Sequence, residues 1–248
     1  MQSLVWRILV LLRIYPGIHF TYSPFKILEF EELMRGLDWT GRERVLDIGC
    51  GIGNHTFLLG KNAGSIVGVD TNPEFIERAR WFAGIVPGGR TATFTTDPVE
   101  KAGFADGEFD RIFSICVLEH IPNHVEVLEH CVRSLKPGGE MIFSVDSLTT
   151  ITDPALIEKH RKDHWVQQYY TPDQLRETLE GMGFVDVEVT PIFRSVTAKR
   201  FFERGIRRGF NFGRIATKSY TRVLRKAEAA HTGSEDGIFL IARARKAS

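Results

Sequence analysis

Asp47, Gly49, Gly51 and Gly53 stand in the run Val45-Leu46-Asp47-Ile48-Gly49-Cys50-Gly51-Ile52-Gly53, an apolar strand pattern that breaks into alternating glycines. Glycine serves where a chain turns tightly or lets a ligand approach the backbone with no Cβ in the way. A strand-to-helix turn of this kind aims unpaired N–H groups at an acceptor, which suits a nucleoside-type ligand. Seventeen residues beyond Gly53, the apolar run Ile66-Val67-Gly68-Val69 ends on Asp70, where a carboxylate can accept from ribose hydroxyls. Those features also fit a nicotinamide dinucleotide. Asp47 separates the two readings. A carboxylate inside the first strand is costly unless it accepts hydrogen bonds or faces a cation, and loop amides with a sulfonium or ammonium ligand would supply both.

Four further blocks follow in order: Thr96-Asp97-Pro98, the run from Phe104 to Ile112, Val117-Leu118-Glu119-His120-Ile121-Pro122, and Ser134-Leu135-Lys136-Pro137-Gly138-Gly139-Glu140. With them the chain resembles, over roughly residues 40–190, the class I S-adenosylmethionine-dependent methyltransferases, specifically the small-molecule group related to the ubiquinone-biosynthesis enzymes. The resemblance implies that Asp47, Gly49, Gly51 and Gly53 hold the methionine part of S-adenosylmethionine, that Asp70 takes the ribose, and that Asp97 accepts from the adenine amine. Asp97 also reads as a turn cap before Pro98, and Cys50 as a small buried residue between glycines. His120 follows a strand at the carboxyl edge of the sheet, where it can act as a general base or only shape the methionine pocket.

Residues 146–170 are expected to cover the acceptor, as a loop dense in rings: His160, His164, Trp165, Tyr169 and Tyr170. His164 is the first candidate to deprotonate an acceptor hydroxyl, with Tyr169 or Tyr170 as a wall. Methyl transfer itself requires alignment and exclusion of water more than covalent help. The leading expectation is O-methylation of a small-molecule or lipid- or saccharide-linked acceptor. RNA methylation and a non-catalytic S-adenosylmethionine-binding regulator are alternatives. No Asn-Pro-Pro-Tyr-like tetrapeptide, Pro-Cys nucleophile or appended RNA-binding module supports RNA.

These residues need a sheet to hold them. Apolar bursts alternating with helical patterns place strands near 44–48, 66–70, 91–95, 110–115, 140–145, 184–190 and 237–243. The expected architecture is an α/β fold: a Rossmann-like, seven-stranded, mostly parallel sheet with helices on both faces and an antiparallel last strand. Asn72-Pro73 and Thr171-Pro172-Asp173-Gln174 read as helix starts, and the second helix should stop near Gly181 to Gly183.

Residues 1–39 are read as an N-terminal helical lid and 40–248 as one catalytic domain, in a chain whose length and 43% hydrophobic content can enclose a sizeable core. Between the last two strands stands an insertion of about 191–236. Within it, from Arg194 to Lys226, eleven Lys or Arg face Glu203 alone, a charge of +10 against −9 for the rest. Helices there would turn Phe201, Phe202, Phe210, Phe212, Tyr220 and Leu224 inward and the cations toward an anionic partner such as a membrane surface. The run Leu4 to Ile14 is too short to span a bilayer and lacks a cleavage site, so it either packs on the body or lies in a membrane interface. Cys50, Cys116 and Cys131 show neither disulfide nor metal spacing, which implies a reducing cytoplasmic setting, peripheral membrane contact aside, and no metal.

Overall fold

The computed structural model describes residues 2–17, 21–86, 89–233 and 236–248. Its seven strands are β1 (Arg44–Ile48), β2 (Ser65–Val69), β3 (Ala92–Thr95), β4 (Phe109–Ile115), β5 (Leu135–Asp146), β6 (Phe184–Ile192) and β7 (Phe239–Lys246). They form one sheet in the order β3-β2-β1-β4-β5-β7-β6. The first five run parallel, and β7 inserts antiparallel between β5 and β6. The seven expected strands are present. The fifth begins earlier than its apolar run because Leu135 already pairs with Phe109, across a register shift.

Because side chains alternate along a strand, β1 serves two layers. Leu46 and Ile48 join a core with Val127 and Leu128 of α5 (His124–Ser134) and Leu175 and Leu179 of α7 (Pro172–Gly181). Val45 points the other way, to Leu33 of α2 (Pro24–Met34) and Leu59 of α3 (Asn54–Leu59). The helix starts behave as their sequences imply. Asn72 Oδ1 accepts from the amides of Glu74 and Phe75 to open α4 (Pro73–Ala83), and Thr171 Oγ1 accepts from Gln174 N. Past the end of α7, Gly183 lies at φ +89°, a left-handed turn that suits glycine.

The insertion is two helices, α8 (Val196–Arg208) and α9 (Arg214–Ala229). It is not a solvated appendage. Phe202, Ile206 and Leu224 are buried against Phe25 of α2 and Phe239 of β7, and each such side chain contributes about 1.5–3 kcal/mol when fully buried. The exposed Arg225–Glu31 pair at 2.7 Å adds little beside that. The first helix, α1 (Gln2–Leu11), packs Trp6, Leu9 and Val10 with Tyr15 onto Ile76 and Phe82 of α4. No helix among the described residues is long and apolar enough to cross a membrane.

Candidate active site

Sequence order reverses between β1 and β4, and open α/β sheets form a crevice at such a switch point, outside the carboxyl ends of the strands. A cavity of about 390 Å³ lies there, lined among others by Gly49, Asp70, Thr71, Val99, Val117 and His120. Gly49 has φ +71°, and a Cβ on it would meet Val117 Cγ2 at 2.3 Å, so no larger residue fits the strand end. The amide of Gly51 donates to Asp70 Oδ2 at 2.9 Å, and that of Asn72 to Oδ1 at 2.9 Å. Gly53, at φ +87°, starts α3.

The other two acids expected in this crevice do not line it. Asp47 shares the orientation of Val45 toward the α3 face, is 2% exposed, and accepts from Thr56 Oγ1 at 2.6 Å. Burial pushes its pKa up to about 7, the Thr56 hydroxyl opposing and the Asp70 charge adding. Its place is beneath the glycine turn. Asp97 is exposed and accepts from Thr95 Oγ1 at 2.8 Å, which is the turn-cap reading; Pro98, Val99 and Glu100 form that side of the crevice instead.

A second cavity, about 640 Å³, adjoins the first, and His120 lines both. Its walls are apolar, with Phe25 from α2, Phe202 and Phe210 from the insertion, Phe239 from β7, and Trp165 at φ +51° after α6 (Pro154–His164). The expected loop over the acceptor thus carries a helix at its centre, capped by Asp153 on Ala155 N. His164 reaches the cavity from its exposed last turn, its ring 4.7 Å from that of His160. Burial pushes the pKa of His164 down, as it does for His120. Tyr169 and Tyr170 are not walls: Tyr169 OH meets His160 Nδ1 at 3.0 Å from behind, and Tyr170 OH accepts from Gln168 Nε2.

Polar groups that sequence reasoning passed over make the cavity's floor. Glu119, at the end of β4's loop, is fully buried, and neither carboxylate oxygen has a hydrogen-bond partner among the described residues. Asp146, at the end of β5, lies beside it, with Cys116 close by; one donor atom from each lies within 4.8 Å of the others. Burial and the neighbouring acid push the Glu119 carboxyl well up, and burial raises that of Asp146, so the pair favours sharing a proton or facing a cation. His160 Nε2 stands 3.8 Å from Asp146 Oδ2, and burial lowers the His160 pKa to about 3, so this imidazole stays neutral. Farther in, Glu29 accepts from Ser144 Oγ at 2.6 Å and Cys116 Sγ at 2.9 Å, and pairs with Lys26 at 2.9 Å. Glu119 stood in the motif beside His120, so its position was visible; Lys26 and Glu29 carry no local signal, because an N-terminal helix reaches the cavity only through the tertiary fold.

Comparison with known proteins agrees with this geometry. The family described as "Methyltransferase domain" matches residues 46–143. The chain is 28% identical over 154 residues to 2-methyl-6-phytyl-1,4-hydroquinone methyltransferase of Synechocystis sp., covering 59% of this chain and 48% of that protein. It is 24% identical over 168 residues to the ubiquinone biosynthesis O-methyltransferase of Pectobacterium atrosepticum, covering 64% and 69%. The match thus spans about half the length of the first relative. Among solved structures, phosphoethanolamine N-methyltransferase 2 of Haemonchus contortus in complex with S-adenosyl-L-methionine superposes at TM-score 0.66 and 19% identity, covering 93% of this chain and 56% of that one. Geranyl diphosphate C-methyltransferase of Streptomyces coelicolor, in complex with Mg2+, geranyl diphosphate and S-adenosyl-L-homocysteine, superposes at 0.64 and 12%, covering 90% and 78%. At these identities the structures show a shared fold.

Proposed function

From a chain whose residues 46–143 belong to the methyltransferase-domain family, we propose an S-adenosylmethionine-dependent methyltransferase that O-methylates a phenol- or quinol-like head on a small or lipid-linked apolar acceptor. One observation carries the reading: a cavity with phenylalanine and tryptophan walls, floored by two buried acids, meets the nucleoside crevice at His120. Apolar walls accept a hydrocarbon stem. A carboxylate-rich floor favours a head that donates hydrogen bonds over a phosphate.

S-adenosylmethionine supplies a methyl carbon already activated by a sulfonium, leaving as the neutral thioether. In the crevice, Asp70 is placed for the ribose, while the backbone turn from Gly49 to Gly53 admits the methionine moiety. Aromatic walls exclude water and orient the acceptor oxygen toward the junction, a gain in proximity rather than in covalent chemistry. The hydroxyl proton passes to the Glu119–Asp146 pair as the oxygen gains its methyl. We assign Asp146 as the base, because it lines the cavity beside the neutral His160, itself held by Tyr169. His120, between the cavities, shapes the passage for the methyl group, and His164 stands too near the surface to act alone. A lipid-linked acceptor also agrees with work at an anionic membrane surface.

The test is methyl transfer from labelled cofactor into a lipid and metabolite extract and into a panel of phenols and quinols, followed by mass analysis. Label on a hydroxyl oxygen of an apolar acceptor is the expected result. Label confined to RNA or to amines would overturn the proposal.

A further inference from the structure

Helix α1 is apolar on two sides. Trp6, Leu9 and Val10 face the body, as described, and Arg78 lies over the Trp6 ring at 5.5 Å. The opposite side displays Leu4, Val5, Ile8, Leu11 and Leu12, with Leu11 81% and Leu12 61% exposed. A soluble surface tolerates scattered apolar residues, but five large aliphatic side chains on one short helix and the residue after it form a patch that marks an interaction site.

The charges beside it choose the partner. Arg7 and Arg13 are exposed and form no ion pair among the described residues. The first acid in the sequence is Glu29, so no acid stands in α1 or beside it along the chain. A second copy of the chain docked through the same face would set Arg7 and Arg13 against their own images, since a twofold contact is self-complementary. An anionic bilayer satisfies both features, because phosphate headgroups meet the arginines while aliphatic side chains enter the acyl boundary. At ten residues the helix is about 15 Å long, too short to span but suited to lie in the interface.

We propose that the outward face of α1 docks this protein on the surface of an anionic lipid bilayer. The inference does not depend on which acceptor is methylated. It does tie the membrane to both ligand cavities. After α1, the Tyr15 hydroxyl donates to Ile52 O at 2.8 Å and Gly17 N to Asn54 Oδ1 at 3.0 Å, in the glycine turn. Farther on, Thr21, Ser23 and Phe25 line the larger cavity.

The experiment is co-sedimentation of the full chain with vesicles of mixed phosphatidylglycerol and phosphatidylcholine, or of phosphatidylcholine alone. Binding to the mixed vesicles is expected. Exchanging Ile8→Ser, Leu11→Ser and Leu12→Ser together should lower it about tenfold or more at an unchanged melting temperature, since these side chains touch no core. Arg7→Gln with Arg13→Gln should weaken binding to mixed vesicles only, and the loss should shrink in high salt. In a fourth protein, Leu11→Trp should blue-shift its fluorescence on addition of mixed vesicles. The proposal is overturned by equal pelleting of the serine variant, by an unshifted Leu11→Trp spectrum, or by binding lost only on neutralising Arg204, Arg207 and Arg208 of α8. A wild-type dimer that ignores vesicles and that the serine exchange dissolves would overturn it as well, assigning the face to a second copy.

Discussion

Asp70 Oδ2 accepts the backbone hydrogen of Gly51, 19 residues earlier in the chain, at 2.9 Å. The strand-end acid therefore braces the glycine turn while it also lines the crevice proposed for the nucleoside. Asp70→Ala removes both actions at once. A hydrogen bond to a charged group is worth about 1.5–3 kcal/mol, so S-adenosylmethionine affinity should fall by roughly one to two orders of magnitude. Titration calorimetry at constant salt measures it, and wild-type affinity would remove Asp70 from the site.

Much of this site could be read along the chain because its signals are local. A strand ending in Gly49-Cys50-Gly51, a second strand ending in Asp70 and a proline-led helix after Asn72 are each written within a few residues. Asp47 was equally visible, but its direction was not: alternation along β1 turns it with Val45 toward Thr56, away from the crevice. The cavity proposed for the acceptor was mostly hidden. It is assembled from α2, the loop after β4, the end of β5, α6 and the insertion, and no periodicity brings Phe25, Glu119 and Phe210 together. Dense rings between 146 and 170 marked the right region but not which ring matters: His160 is buried on Asp146, whereas His164 lies at the rim.

The buried Asp47 should cost stability in a defined pH window. Its pKa is about 7 in the fold against an ordinary 3.8, so between those values the unfolded chain releases a proton that the folded chain keeps. Stability from this group is thus fully present below pH ~4, declines as pH rises toward 7, and is constant above, by an amount of order 4 kcal/mol at most. Asp47→Asn can still accept from Thr56 and has nothing to ionise. In paired melts without added cofactor, the variant should gain on the wild type from pH 4 to 7 and keep a level advantage beyond. A difference independent of pH would show that Asp47 is not held protonated.

The acid pair at the cavity floor makes a kinetic prediction. With its carboxyl raised, Asp146 becomes a competent base only as pH climbs above the ordinary carboxylate range, so kcat should rise with pH on its acidic limb. Asp146→Asn should lower kcat by about 10²- to 10⁴-fold and abolish that limb while cofactor affinity stays near wild type. Glu29→Gln should move the limb to lower pH instead, because it removes the negative charge that helps burial hold the Asp146 carboxyl up. If both variants keep the wild-type profile with the acceptor found in the labelled-methyl screen, the proton leaves by another route.

Phe210 lies so close over Gly205 of α8 that a Cβ there would meet its ring at 2.4 Å. This contact fixes one wall of the larger cavity, since Phe210 is among its lining residues. Gly205 has ordinary helical backbone, so alanine is no conformational problem; on propensity alone the change stabilises a helix by up to about 1 kcal/mol. In the wild type the methyl group must push the ring away, and overpacking of this kind costs about 1–3 kcal/mol. Gly205→Ala should therefore destabilise the protein. In a Phe210→Leu background, where the flat ring is gone, the same change should be neutral or stabilising. A double-mutant cycle by denaturant titration measures that reversal as a coupling of about 1–3 kcal/mol. Additive effects would mean that Phe210 does not rest on Gly205, and that the cavity wall is set elsewhere.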